Sequence, residues 1–185
     1  TPVPAALGGV LIGFSAVLST TVGATIGVAA LCFAGAESWG DFGSLWRIWW
    51  VGDATGSLLV APLVLTWAVP ESPRPGRPGE ALTLALLLTV TTLAVFMSPV
   101  AAANVTDPPV YAVFPFIIWA AVRFGPRMTA TAVALASTIA VMSTVRGAGP
   151  FATGDTDQSL VLLQLFMAVV AVTGLILAAG VAERE

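Results

Sequence analysis

The chain has 185 residues, of which 57% are hydrophobic and only 9% are charged, and its formal net charge is −3. Soluble domains carry about 25% charged residues. This composition therefore excludes an ordinary soluble globular domain and indicates a polytopic membrane protein. The basic residues are all arginine and form no run, which argues against a nucleic-acid-binding surface.

Six apolar segments predict an all-α fold, a polytopic transmembrane helical bundle of about six spans. A span needs about 20 helical residues. The fourth segment is short and contains Pro115, which leaves open a kinked span or a re-entrant piece. The segments run over residues 5–34, 45–69, 81–100, 109–124, 127–146 and 159–182.

The arginines are distributed unevenly over the connections between these segments. Because arginine-rich connections stay in the cytoplasm, both ends of this chain are predicted to lie on the cytoplasmic side of the membrane. This alternation requires every segment to span, which favours the fourth as a true span. The arginine-bearing connections hold Arg74 and Arg77, Arg123 and Arg127, and Arg184; the acidic ones hold Glu37 and Asp41, Asp107, and Asp155 and Asp157, with Arg47 and Arg146 at their edges.

Asp53 is an aspartate within an apolar segment of membrane length. It lies about 10 Å along the helix from Trp46, where a carboxylate costs a few kcal/mol to insert. Such a residue is expected to face the bundle interior. Three roles stay open: a hydrogen-bonded link to a neighbouring helix, a ligand- or proton-responsive group, or a shallow position in a water-filled vestibule.

Small and aromatic residues surround Asp53 on the predicted helix. Gly52 and Gly56 form a small-xxx-small pair, which is typical of close helix packing. Trp49 shares a face with Asp53 and Gly56 by helical spacing, and suits either an aromatic belt or the lining of a pocket. On the first segment, Thr21 and Thr25 share a face that suits hydrogen bonds between helices.

The sequence contains no catalytic constellation. Histidine is absent, and Cys32 is the only cysteine. Histidine-based catalysis, histidine metal ligation and an internal disulfide are therefore excluded within this chain, and Cys32 is expected to be an inert thiol. No enzyme activity, metal or cofactor is predicted.

Four stretches together resemble the bacterial membrane-associated sensor domain family of the first MASE type (MASE-one). The resemblance runs from about Leu11 to Glu185 and leads us to expect that an N-terminal portion of the family domain is missing. The matching stretches are WWVGDATGSLLVAPLVLTW, FPFIIWAAVRFGPR, RGAGPF and SLVLLQLFMAVVAVTGLILAAGVAERE.

The resemblance implies signature positions and an output. It implies a sensor domain over residues 1–182 and the start of a connecting helix at 183–185, leading to a cytoplasmic histidine kinase or a cyclic-di-GMP enzyme. The implied signature residues, which serve signal sensing or helix packing, are Trp49, Gly52, Asp53, Gly56, Pro115, Trp119 and Arg123, with Phe114, Phe124 and Gly125 beside them.

The favoured function is a membrane-embedded sensory input domain of a two-component or cyclic-di-GMP protein. Its expected partners are the lipid bilayer, an output domain in the same full-length chain, a small-molecule ligand or a membrane-protein partner, and a second copy in a homodimer. Two alternatives remain: a transporter or channel fragment with Asp53 as a proton or cation site, and a passive membrane anchor.

Overall fold

The computed structural model describes residues 5–69, 78–97 and 109–183, with residues 5–17 described by their backbone alone. The linker with Arg74 and Arg77, the connection with Asp107 and the last two residues lie outside the described residues. The described part contains α-helices and two short 3₁₀-helices, at Trp39–Asp41 and Pro109–Val113, and no strand. The α-helices are α1 Ala5–Phe33, α2 Phe42–Ala68, α3 Pro78–Met97, α4 Phe114–Phe124, α5 Pro126–Val145 and α6 Thr156–Ala182.

The all-α transmembrane bundle predicted from the six apolar segments is confirmed. Among the described residues, α2 (with the preceding 3₁₀ turn), α3, α5 and α6 are long and apolar enough to cross a membrane. Their outward side chains are apolar: Leu82, Leu86 and Val90 follow one stripe of α3 and are all exposed. Because an apolar stripe of this length is unfavourable in water, it indicates contact with lipid.

Of the two forms left open for the fourth segment, the kink at Pro115 is absent. Pro115 is the second residue of α4, and at that position its missing N–H removes no helical hydrogen bond. It therefore opens the helix instead of kinking it. The 3₁₀-helix Pro109–Val113 leads directly into α4, and the two together rise about 26 Å, close to the thickness of the hydrocarbon core.

The chain divides into two compact units, Thr1–Ser57 and Leu58–Glu185. The described part of the first unit comprises α1, the 3₁₀ turn Trp39–Asp41 and the first half of α2. The second unit comprises the rest of α2 and α3 to α6. In it, α5 packs against α3, α4 and α6, and the short α4 packs against α6.

The core of the second unit is apolar, and the threonines buried in it satisfy their hydroxyls locally. Phe96, Ile117 and Val170 are fully buried. Thr92 and Thr129 are also fully buried, and each donates to the carbonyl oxygen four residues earlier in its own helix. No polar group of these two threonines needs a partner from another helix.

The turn Arg146–Phe151 closes one end of the second unit. Phe151 is buried, and its ring centroid lies 5.5 Å from those of both Phe96 and Phe166. Gly149 has a φ of +86°, and a Cβ on it would lie 2.5 Å from the carbonyl oxygen of Phe96. Only glycine allows the turn to approach α3 this closely.

Candidate functional site

Two tryptophan–threonine hydrogen bonds join α1 to α2 in the first unit. Trp46 Nε1 donates to Thr25 Oγ1 at 2.9 Å, and Trp50 Nε1 donates to Thr21 Oγ1 at 3.0 Å. The two tryptophan rings stack with centroids 6.0 Å apart. Moving four residues forward on α2, from Trp46 to Trp50, corresponds to moving four residues back on α1, from Thr25 to Thr21. The two helices therefore run antiparallel in one defined register. The helix–helix hydrogen bonding expected of Thr21 and Thr25 is present, and its donors are the tryptophans.

Trp49 and Asp53 lie on the same side of α2 and contact two glycines of α1. A Cβ on Gly27 would lie 2.9 Å from two ring atoms of Trp49, so the ring packs directly on the glycine. A Cβ on Gly23 would lie 3.7 Å from Asp53 Oδ2. The close approach is therefore at Gly27, which forms a small-xxx-small pair with Gly23 on α1. The sequence reasoning overlooked this pair although its spacing was visible.

Asp53 is exposed, and the expectation that it faces the bundle interior is wrong for the described chain. The described part of its unit contains only two long helices, and one neighbouring helix cannot surround a carboxylate. Gly56 also differs from expectation, because a Cβ on it would meet no heavy atom within 4 Å in the described part. Gly52 is partly buried on the same helix. What these three residues and Trp49 do in sensing stays a prediction.

A second cluster joins α3 to α4 at one end of the second unit. Arg123 Nε donates to both carboxylate oxygens of Glu80, at 2.9 Å to Oε1 and 3.1 Å to Oε2. Trp119 Nε1 donates to the same Oε1 at 3.3 Å. We call Glu80, Trp119 and Arg123 the carboxylate cluster. It brings together two residues singled out in the sequence, while Pro115 lies about 12 Å away at the other end of α4.

Arg127 binds the C-terminal end of α2. Its Nε donates to the carbonyl oxygen of Thr66 at 3.0 Å, and a terminal nitrogen donates to that of Val69 at 2.6 Å. The guanidinium carbon lies 5.0 Å from the ring centroid of Trp67, whose Nε1 donates to Thr131 at 3.1 Å. The last carbonyls of a helix have no partner within the helix, and a cation near them is favourable.

The sequence reasoning gave Arg123 and Arg127 an orienting role at the membrane surface and missed both sets of partners. Glu80 is 43 residues from Arg123 along the chain, and Val69 is 58 residues from Arg127. The sequence gives only a weak indication of the Glu80–Arg123 pair. Glu80 is an acidic residue at the start of an apolar segment, and favourable placement at a helix N-terminus is enough to explain it there.

The C-terminal half of α6 reaches the same end of the second unit as these two arginines. Gly174 of α6 contacts Ile117 of α4 and both Thr129 and Val133 in the first half of α5. Val141, further along α5, and Met167, earlier on α6, line one cavity, so α6 runs antiparallel to α5. About 12 Å of helix separates Gly174 from Ala182.

Among the described residues, no group of three or more acidic or cysteine side chains is close enough together to hold a metal ion. The polar contacts described above hold helices to one another.

The sequence was compared with protein families, with curated proteins and with solved structures. No curated protein and no solved structure matches the chain significantly. The family model described as MASE1 matches residues 6–185, nearly the whole length. MASE1 is a family of membrane-associated sensor domains. With a multi-span helical fold and a match of this extent, the chain belongs to the MASE1 family and is a membrane-associated sensor domain.

Proposed function

We propose that the chain is the sensory input domain of a bacterial signal-transduction protein and controls a cytoplasmic output domain through α6. The output is a histidine kinase or an enzyme of cyclic-di-GMP metabolism. The domain lies in the plasma membrane with its C-terminal end on the cytoplasmic side. Residues 1–182 form the input domain, and 183–185 begin the connecting helix. The chain itself supplies input and no catalysis.

The observation that carries this proposal is the packing of α6 at Gly174. A Cβ on Gly174 would lie 2.8 Å from Ile117, 3.1 Å from Thr129 and 3.3 Å from Val133. Three helices thus meet without space for one methyl group. Closely packed interfaces respond to small displacements by repacking instead of deforming smoothly. A shift of α4 or α5 is therefore expected to move α6.

The two arginine contacts support the same route. Arg123 ties the end of α4 to Glu80 of α3, and Arg127 ties the start of α5 to the end of α2. Residues at the C-terminal end of α6, such as Ala179, Gly180 and Ala182, are exposed. The arginines thus hold α4 and α5 near their ends, while the exposed end of α6 is the element through which the proposed signal leaves.

The signature residues have separate proposed roles. Trp49 and Asp53 set the contact of α2 with α1, and Asp53 responds to the signal; Gly52 and Gly56 keep that stretch of α2 narrow. Pro115 starts α4, and Trp119 and Arg123 hold its end. Both a small-molecule ligand and a membrane-protein partner suit this arrangement, as does a homodimer.

Substitution of two glycines of α6 in the full-length protein tests the route. Gly174→Ala places a methyl group into the three-helix contact, whereas Gly180→Ala meets no heavy atom within 4 Å in the described part. We expect that the output activity of Gly174→Ala, measured as kinase or cyclase activity in membranes, no longer responds to the signal. Gly180→Ala should keep its regulation. Equal regulation in both variants at equal expression would argue against signalling through α6.

Replacing the whole domain by an unrelated membrane anchor distinguishes sensing from anchoring. The proposal predicts that output activity persists but no longer changes between growth conditions. Unchanged regulation in the anchored protein would exclude sensing by this domain and support the passive membrane anchor.

A further inference from the structure

A cavity of about 300 Å³ lies in the second unit between α2, α5 and α6. Its walls are apolar: Leu59 and Leu63 come from α2, Val141 from α5 and Met167 from α6. Val60 and Met142 line it as well and are largely exposed. Since exposed apolar side chains of this bundle face lipid, the cavity is open to the bilayer. Small-molecule pockets begin at about this volume.

One polar group in this cavity lacks a hydrogen-bond partner. Ser137 lines the cavity and is only 3% exposed. Its Oγ is a buried side-chain atom without a hydrogen bond to any described residue. A buried hydroxyl without a partner is unfavourable, so such a group in a native protein calls for an explanation.

The threonine hydroxyls of α5 are bonded within the helix, unlike the hydroxyl of Ser137. Thr138, its neighbour on the cavity wall, donates to the carbonyl oxygen of Ala134 at 2.7 Å. The same bond to the carbonyl four residues earlier is made by Thr129, Thr131 and Thr144. Ser137 alone among these hydroxyls is left as a donor inside the cavity.

The depth of Ser137 restricts what can accept its proton. Ser137 is about 16 Å along α5 from Pro126, near the middle of a helix of 20 residues. A phospholipid holds its ester and phosphate oxygens at the interface and would bring only its acyl chain to this depth. A charged ligand is disfavoured, because the cavity lining contains no ionisable group.

We propose that this cavity binds an uncharged lipophilic molecule with a carbonyl oxygen, which enters from the bilayer and accepts a hydrogen bond from Ser137. The alkyl part of the ligand lies against the leucines and Met167. The contact involves α2, α5 and α6 together, so occupancy would bias their packing. Only this last consequence rests on the proposed sensory function; binding itself does not.

Binding is measured on the purified intact protein in lipid nanodiscs, without any output assay. A diazirine-bearing analogue of methyl octyl ketone is photo-crosslinked, and the labelled peptides are mapped by mass spectrometry. Methyl octyl ketone and decane, which has the same number of carbons and no carbonyl, then compete, with both expressed as mole fraction in the lipid. We expect labelling of α5 and α6 and competition about tenfold stronger for the ketone, as one added hydrogen bond supplies.

Two variants of adjacent residues identify the donor. Ser137→Ala should reduce the preference for ketone over decane to about one, while Thr138→Ala, which removes a hydroxyl already bonded to its own helix, should keep it. Equal competition by decane in the wild type would mean an acyl-chain groove and overturn the proposal. A preference that survives in Ser137→Ala would overturn it too.

A spectroscopic measurement on the wild type covers the case in which Ser137→Ala does not fold. The infrared carbonyl band of the bound ketone should lie at lower frequency than that of the ketone dissolved in decane, because a hydrogen bond weakens the C=O bond. An unshifted band would overturn the proposal. If the ketone does not bind but output regulation is intact, the proposed sensory function is retained and the ligand site is rejected. If the ketone binds but output regulation is absent, the ligand site is retained and the sensory function is rejected.

Discussion

Arg123 in the last turn of α4 donates to the carboxylate of Glu80 in the first turn of α3, with Nε 2.9 Å from one oxygen and 3.1 Å from the other. Trp119 donates to the same carboxylate from one turn earlier on α4. The short helix α4 is thereby held at its end by two donors to one acceptor. Geometry of this kind fixes orientation more than it adds stability, because about half of the Arg123 side chain is exposed.

Exchanging the two charges tests this pairing. Glu80→Arg and Arg123→Glu, each alone, should lower the midpoint of thermal unfolding in detergent, since each variant places like charges together. The double variant should recover most of the loss. Because exposed ion pairs are screened, the differences should shrink at high salt. Single variants as stable as the wild type would show that the pair contributes no stability.

Arg127 should resist replacement by lysine. Its planar guanidinium donates to the carbonyls of Thr66 and Val69 together, which a single ammonium on a flexible stem reproduces poorly. We expect Arg127→Lys to lower the free energy of unfolding by about 1.5–3 kcal/mol, the range for hydrogen bonds to charged groups. Hydrogen exchange should accelerate at the last turn of α2. Protection that stays unchanged there would contradict the contact.

Gly149→Ala should be among the most harmful alanine substitutions in the chain. Gly149 and Gly154 both have positive φ, at +86° and +83°. A residue with a Cβ in this conformation costs about 1–2 kcal/mol. Gly149→Ala also forces a clash with the backbone of Phe96, whereas Gly154→Ala meets no described heavy atom within 4 Å. Unfolding experiments should show a clearly larger loss for Gly149→Ala, and similar losses would mean that the turn moves freely.

The contact of α1 with α2 offers a matched pair of glycines. Gly27→Ala places a methyl group 2.9 Å from the ring of Trp49, whereas Gly23→Ala gives an ordinary 3.7 Å contact with Asp53. Overpacking costs about 1–3 kcal/mol, while alanine within a helix gains about 0.5–1 kcal/mol over glycine. We therefore expect Gly27→Ala to destabilise and Gly23→Ala to be neutral or stabilising. Tryptophan fluorescence should shift in Gly27→Ala only.

Asp53→Asn tests whether the carboxylate takes part in sensing. Asparagine keeps the volume and most of the hydrogen bonding and removes the charge, so stability should change little. We expect the output of the full-length protein to respond less to its growth-condition signal, by about fivefold if one interaction of about 1 kcal/mol is lost. Asp41→Asn, in the exposed 3₁₀ turn, is the control. An unchanged response in Asp53→Asn would exclude a sensing role for the charge.

The transporter alternative makes a different prediction for the same variant. In proteoliposomes it requires proton- or cation-dependent uptake that Asp53→Asn abolishes. The sensor proposal expects no such uptake by the wild-type protein.

The apolar segments predicted the helices well, because an uninterrupted apolar stretch in a membrane must satisfy its backbone internally. The predicted segment at 127–146 corresponds to α5 at Pro126–Val145, and the segment at 159–182 to α6 at Thr156–Ala182. The form of the fourth segment could not be read from Pro115. Proline within a pattern indicates a kink or a start, and only the position at which the helix begins distinguishes them.

The sequence by itself determined the class of the fold, the extent of the helices and, through its motifs, the sensor family, since these depend on hydropathy and local spacing. The tertiary structure alone decided which polar groups meet. Glu80 and Arg123 are 43 residues apart, and Trp50 and Thr21 are 29 apart. It also decided that Gly27 makes the close contact with Trp49, and that Asp53 is exposed. Partners and burial depend on which helices become neighbours, and helices that are apolar on nearly every side carry little information about that choice.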